Sequence, residues 1–332
     1  MLRQLIGLSR FGLSNFFSSA MAGGKLTRNL LTGVDIGTSK VCVLIAEIGP
    51  VGGKVVLGHG IAPCNASRRG VVVNIETTVE ALRTAISEAQ KSAGVRVVVA
   101  VVGISRAHIH GLNSHGIVVV HGSEVGSRDI QPVIDAAHAV AIPSDREVLQ
   151  ILPQQFTVDD QEHVYDPTGM AGVWLAARIR IITAPQSYSH NLKKCCERAS
   201  IGVLDVVFAP LAGAEAALFP EERELRGALV DIGGGTTDIV VFHNGAVMHM
   251  AVLPIGGGHV TNDIADGLRA LVSAAERLKV NYGLATNLAG RCNEMVQIPG
   301  IAGRSPRGIL RQYLSEIIEP RTAVAEMKPW SM

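Results

Sequence analysis

"ALVDIGGGTTDIVVF", residues Ala228–Phe242, sets three glycines, two threonines and two aspartates between apolar runs that read as β-strands. A packed core has little use for Gly-Gly-Gly. A phosphate does, because backbone without side chains can come close to it and turn several N–H groups toward its oxygens. A second stretch, "TGVDIGTSKVCVLIAEI" (Thr32–Ile48), has the same plan: apolar strand, Asp-Ile-Gly, hydroxyl residues, apolar strand. The two lie about two hundred residues apart, an internal repeat of a site rather than of a short structural unit. Two domains of related architecture facing one cleft would bring such turns opposite each other. Strand–turn–strand excludes a P-loop, which leads into a helix, and no GxGxxG opens a Rossmann unit.

Each hairpin tip offers amides and hydroxyls to phosphate oxygens. Gly37, Thr38 and Ser39 form one tip, and Gly233, Gly234, Gly235, Thr236 and Thr237 the other. Carboxylates beside phosphates repel unless a divalent cation lies between them, so Asp35 and Asp231 are predicted to hold Mg²⁺ and its waters. Asp231 is also the candidate catalytic residue, placed to orient an attacking water. Lys40 reaches a phosphate as a point charge or is a solvated lysine at a strand edge. A third turn, Gly256, Gly257 and Gly258, precedes a helix whose N-terminal end favours an anion. Asn262 and Asp263 are cleft residues or caps of that helix. Glu276 and Lys279, at i and i+3, contact the ribose or base of a nucleoside or form an ordinary surface ion pair. Ala212, Gly213 and Ala216 permit a close helix crossing, as a hinge or as plain packing.

The rest of the chain reads as α/β. A helix is predicted over "IETTVEALRTAISEAQKSAGV", with Val79, Leu82, Ile86 and Ala89 on one face and Gly94 as C-cap. A second begins at Ser127 as N-cap and stops near Pro143, and a third spans Tyr188–Ala199. "LDVVFAPLAGAEAAL" leads a strand into a helix, and Asn244-Gly245 marks a tight hairpin.

The chain has 332 residues, enough for two domains, with 47% hydrophobic, 18% charged and 4% aromatic residues. A formal charge of +1 gives no general electrostatic reason to bind nucleic acid. Five cysteines in no CxxC spacing read as reduced packing thiols, which points to the cytosol. No apolar run is long enough to span a membrane. Residues 1–30 contain Arg3, Arg10, Lys25 and Arg28 and no acid. That composition suits a transit peptide, an interfacial helix or a nonessential extension ahead of an alternative start at Met21.

"DIGTSK" (Asp35–Lys40), "PLAGAEAAL" (Pro210–Leu218) and "DIGGGTTD" (Asp231–Asp238) together resemble the first phosphate, connecting and second phosphate motifs of the actin-like ATPase superfamily. Within it, "GLNSHGIVVV", "AVAIPSDREVLQILPQQFTVDDQEHVYDPTGMAGVWL", "PIGGGHVTNDIADGLRALVSAAERLKVNYG" and "SPRGILRQYLSEIIEPR" resemble, in order, segments of the FtsA family of bacterial cell-division proteins. The resemblance implies an actin-like fold of two related domains around a nucleotide cleft, with a family-specific inserted subdomain. It divides the chain into an extension (1–30, disorder being one reading), domain 1 (31–80 and 166–212), the insert (81–165) and an incomplete domain 2 (213–332). It further implies ATP and Mg²⁺ as cofactors, filament formation by self-association, contact with other divisome proteins, and linkage of the FtsZ ring to the cytoplasmic side of the cell membrane at the division site. The FtsZ C-terminal peptide is expected on the subdomain bearing Arg304, Arg307 and Arg311, a basic series that suits an acidic peptide or else a solvated helix face. Family members continue into a glycine-rich adenosine motif and an amphipathic membrane helix, neither of which precedes Met332, so the chain reads as truncated and membrane contact as doubtful. His259 stands where a glutamine or similar polar residue is expected, and a neutral imidazole can hydrogen-bond there. A nucleotide-switched scaffold with slow hydrolysis is the leading expectation; the alternatives are a sugar or small-metabolite kinase and a copy without nucleotide binding.

Overall fold

The computed structural model describes residues 29–49, 53–64, 67–68, 71–72, 74–286, 293–300 and 305–327. Expectations for residues 1–28, and for Cys292 and Arg304, lie outside them. Contacts divide the chain into two units, Met1–Asp231 with Thr236–Pro254, and Ile232–Gly235 with Ile255–Met332.

The first unit is built around strands rich in Val, Ile and Leu. β1 (Leu30–Ile36), β2 (Lys40–Ile48) and β3 (Lys54–Pro63) form an antiparallel meander, followed by the two-residue pair β4 (Ser67–Arg68) and β5 (Val71–Val72). Helix α1 (Ile75–Ala93) returns the chain to β6 (Val99–Ile104), which lies parallel to β1. The expected helix is present, with Val79, Leu82, Ile86 and Ala89 buried, Asn74 accepting from the Thr77 amide, and Gly94 closing it at φ 66°. Glycine in β3 sets how close this helix comes. A Cβ on Gly60 would lie 2.0 Å from the Ala85 carbonyl oxygen, and one on Gly58 2.5 Å from the Ala93 amide nitrogen.

The chain then leaves this sheet for a second one. β7 (His110–Val119), α2 (Ser127–His138), β8 (Arg146–Val158), β9 (Gln161–Val164) and β10 (Trp174–Pro185) build an antiparallel sheet in the order β7-β10-β8-β9. Its core gathers Val133, Ala137, Phe156, Leu175, Ile179 and Ile181. Ser127 is not the helix cap. The Asp129 carboxylate, 1% exposed as a residue, accepts from the amides of Gly126 (2.8 Å) and His121 (3.0 Å), and Gly126 is the N-cap. These bonds, with one to the His121 ring, hold the Asp129 carboxyl down at about 2. The helix ends at His138 rather than near Pro143. The sheet's bounds also differ from the expected 81–165. α1 belongs to the first sheet, where Val79 and Leu82 meet Val41, Val43 and Ile45, and β10 is an inner strand of the second.

α3 (Gln186–Arg198) leads to β11 (Gly202–Phe208), parallel to β6 and last in the order β11-β6-β1-β2-β3. α4 (Ala209–Ala217) buries Ala212, Gly213 and Ala216, and α5 (Pro220–Glu224) follows. β12 (Ala228–Ile232), β13 (Thr237–His243) and β14 (Ala246–Leu253) make a three-stranded sheet. Asn244 and Gly245 turn the β13–β14 hairpin at φ 50° and 74°, the left-handed pair such a turn demands. Val240, Phe242, Val247 and Met250 join the core of the five-stranded sheet, so these strands pack with the first unit despite the expected division at 213.

The second unit holds α6 (Gly257–Leu268), α7 (Val272–Tyr282), the hairpin β15 (Met295–Ile298) and β16 (Arg307–Leu310), and α8 (Arg311–Met327). Ile264, Leu268, Leu278, Val296, Leu314 and Ile318 form its core. No described helix is long and apolar enough to cross a membrane.

The contact between α1 and β3 yields a direct test. Gly60→Val should cost at least about 2 kcal/mol in chemical denaturation, because backbone rather than a pliable side chain occupies the space. Wild-type stability in that variant would contradict the packing described.

Candidate functional site

Three aspartates converge in the first unit. Asp35 is the penultimate residue of β1, paired across the sheet with Cys42 on β2 and Gly103 on β6. The tip that follows is tight: the Gly37 amide donates to the Lys40 carbonyl at 3.0 Å, and a Cβ there would lie 3.0 Å from the same oxygen. Ser39 and Lys40 are exposed at this tip and Thr38 is half-buried. Asp231 is an exposed residue of β12, while Asp238 on β13 is 6% exposed. Asp238 alternates with Val240 and Phe242 on the buried face of its strand. Its carboxylate accepts from the Ser105 hydroxyl at 2.5 Å.

The electrostatics show that these groups sense one another. Burial raises the Asp35 carboxyl to about 6, Asp231 adds to the shift, and Lys40 opposes it. Burial raises Asp238 to about 7; the Ser105 hydrogen bond opposes that, and Asp231 and Asp35 reinforce it. Burial is the larger cause for both groups, and the neighbouring carboxylates add to it. Among the described residues no three His, Cys, Asp or Glu side chains stand close enough to hold a metal ion by themselves. An all-oxygen set of this kind fits Mg²⁺, which keeps several of its waters and takes further oxygens from a bound phosphate. A Zn²⁺-type cage of His and Cys would not be built this way. Sequence reasoning passed over Asp238, although an aspartate in step with core valine and phenylalanine at a period of two was the available signal.

In the second unit, the second and third glycine turns are joined backbone to backbone. The Gly257 amide donates to the Gly233 carbonyl at 2.9 Å and the Gly258 amide to that of Gly234 at 2.7 Å. A Cβ on Gly256 would lie 2.5 Å from the Gly233 oxygen, and one on Gly258 2.7 Å from that of Gly234. The Gly256 amide donates to the His259 ring nitrogen Nδ1 at 3.1 Å, so the imidazole caps α6 at the position where a glutamine or similar polar residue was expected. Gly256 and Gly258 therefore answer to the close approach of two turns. The amides of Gly256 and Gly257, expected to face a phosphate, are used inside the protein. Gly235 and Thr236 are buried, and Gly234 and Thr237 half-buried.

Glu276 and Lys279 are more than a surface pair. The Lys279 ammonium donates to Glu276 at 2.8 Å, to the Thr261 hydroxyl at 2.9 Å and to the Gly257 carbonyl at 3.1 Å, tying α7 to the start of α6. Burial would raise the Glu276 carboxyl, but hydrogen bonds from Lys279 and Thr261 outweigh it and hold the group below its ordinary value. Asn262 and Asp263 lie in the second turn of α6 and do not cap it. Asn262 is exposed, and Asp263 accepts two bonds from Arg321, at 2.6 and 2.8 Å. Arg307 donates to the Leu268 carbonyl, and Arg311 bonds the Tyr282 carbonyl and Glu294, each at 2.9 Å. Neither arginine is a merely solvated residue on a helix face.

The raised aspartates predict a pH dependence. Both folded-state values exceed the unfolded value of 3.8, so the folded protein binds more protons across the interval up to about 7 and loses stability as pH rises through it. Asp238→Asn should raise the melting temperature of the ligand-free protein by several degrees at about pH 8 and change it little at about pH 4.5. An equal shift at both pH values would contradict the raised Asp238 carboxyl.

Comparison with known proteins agrees with this architecture. The sequence profile described as "Cell division protein FtsA" matches residues 228–328, and "SHS2 domain inserted in FTSA" matches 107–183, the span of the four-stranded sheet. Cell division protein FtsA of Pseudomonas aeruginosa is 46% identical over 88% of this chain and 70% of its own length. That of Escherichia coli K12 is 36% identical over 89% and 70%. Among solved structures, the PilM-PilN type IV pilus biogenesis complex aligns with a TM-score of 0.57 at 16% identity, covering 76% of this chain and 69% of the other. MreB 5 of Spiroplasma citri bound to AMPPNP aligns at 0.50 and 12% identity, over 93% and 80%. These two likenesses concern the fold. With relatives this similar over most of its length, and with the insert present as a folded sheet, the chain belongs to the FtsA family of cell-division proteins and has the actin-like ATPase fold.

Proposed function

We propose that this chain binds ATP together with Mg²⁺ and acts as a nucleotide-switched scaffold in cell division, self-associating and recruiting the FtsZ C-terminal peptide at the cytoplasmic face of the membrane. The observation that carries the nucleotide reading is the placing of Asp35 and Asp238 with Asp231, where a divalent cation would stabilise the ionised forms that burial, and then the neighbouring carboxylates, disfavour in Asp35 and Asp238. When bound, the cation neutralises charge between phosphate oxygens and carboxylates. Asp35 and Asp231 hold its waters, and Asp231, the exposed member, orients an attacking water where hydrolysis occurs. The hydroxyls of Thr38, Ser39, Thr236 and Thr237 and the Lys40 ammonium serve the phosphates, with Gly37, Gly233, Gly234 and Gly235 keeping the tips narrow. Gly256 and Gly257 support this arrangement by fixing the turn at Gly233–Gly234, and the Glu276–Lys279 pair, beside Asn262 on the neighbouring helix, serves the nucleoside.

Binding energy in such a scaffold goes into the population of the assembling conformation, so slow turnover suffices. The same reading seats the FtsZ peptide on the subdomain of Arg304, Arg307 and Arg311. Because Arg307 and Arg311 already hold Leu268, Tyr282 and Glu294, they act there by shaping the subdomain as much as by charge.

Titration with a fluorescent ATP analogue, with Mg²⁺ and with EDTA, tests the proposal. Wild type should bind in a Mg²⁺-dependent way, and Asp231→Ala should weaken Mg²⁺-dependent binding at least about tenfold while keeping the wild-type circular dichroism spectrum. Wild-type protein that ignores the analogue, or an unchanged curve for the variant, would refute it.

A further inference from the structure

Ser105 is the first residue after β6, where the chain leaves the five-stranded sheet and enters the inserted one. Two residues earlier, Gly103 is the direct neighbour of Asp35 on β1, so Ser105 stands at the same sheet end as the acidic cluster. Its hydroxyl donates to the Asp238 carboxylate at 2.5 Å across 133 residues of sequence. Asp238 is buried, in step with Val240 and Phe242, a place where an ionised carboxylate is costly. A carboxylate that must serve a cation needs a fixed orientation, and a buried hydrogen bond to one oxygen supplies it.

We propose that Ser105 is a positioning residue for the cation chemistry of this site, its hydroxyl setting the Asp238 carboxylate so that Asp238 joins Asp35 and Asp231 around a hydrated divalent cation. The inference rests on the Mg²⁺–ATP reading above. Partners that orient metal-facing groups typically change metal affinity by about 10–100-fold when removed. A residue that only fastened β6 to β13 would change stability instead, and would affect nucleotide binding equally with and without metal.

The test compares wild type, Ser105→Ala and Ser105→Thr by titrating Mg²⁺ into protein with a fixed concentration of fluorescent ATP analogue, alongside melting temperature and analogue binding in EDTA. Ser105→Ala should raise the Mg²⁺ concentration for half-maximal binding about tenfold with binding in EDTA unchanged, and Ser105→Thr, which keeps the hydroxyl, should restore it. A wild-type Mg²⁺ midpoint in Ser105→Ala would overturn the positioning role and leave the nucleotide reading standing. So would a loss equal in EDTA and Mg²⁺, or a loss that threonine does not rescue. Wild-type protein with no Mg²⁺-dependent binding would overturn both.

Discussion

The burial of two carboxylates, Asp35 and Asp238, with Asp231 near enough to add to the cost, is the constraint on which the functional reading of this protein depends. A folded chain gains nothing from placing Asp35 and Asp238 there, since burial first, and then the neighbouring carboxylates, raise the free energy of their ionised forms. Stability is given up there, which is how sites that await a cationic ligand are built. The fold holds the three in place through separate strands. β1 fixes Asp35 between two neighbours, β12 carries Asp231, and the core-facing register of β13 fixes Asp238.

Close backbone approach is the second organising device, and it recurs at three levels. Gly58 and Gly60 let α1 lie directly on β3, Gly116 does the same for α2 on β7, and the turns at Gly233–Gly234 and Gly256–Gly258 meet amide to carbonyl. In each place a methyl group would overlap backbone atoms, which cannot swing aside as a flexible side chain can. Glycine in this chain is therefore used for packing at least as much as for left-handed turns. The glycine-rich stretch that first suggests phosphate binding illustrates both uses.

Much of the fold was legible because its signals are local. The β1–β2 hairpin, the helix closed by Gly94, the Asn244-Gly245 turn and the strand leading into α4 all follow from spacing and turn chemistry within a few residues. What stayed hidden was set by contacts distant in sequence. The edges of the inserted sheet depend on β10 pairing with both β7 and β8. The Gly257 amide finds its acceptor at Gly233, and Arg307 finds Leu268. The capping of α2 by Asp129 instead of Ser127 shows how a carboxylate at the third position can outdo a hydroxyl at the first. In the candidate site, Asp35 and Asp231 stood out by their motifs, whereas Asp238 emerges from its burial and Ser105 from a bond between two sheets.

The most direct measurement is anomalous diffraction from crystals grown with Mn²⁺ in place of Mg²⁺ and a non-hydrolysable ATP analogue. A single manganese peak surrounded by the carboxylates of Asp35, Asp231 and Asp238, through water or directly, with phosphate oxygens completing its shell, is the result expected. Manganese bound elsewhere, or a nucleotide seated away from all three aspartates, would contradict the account.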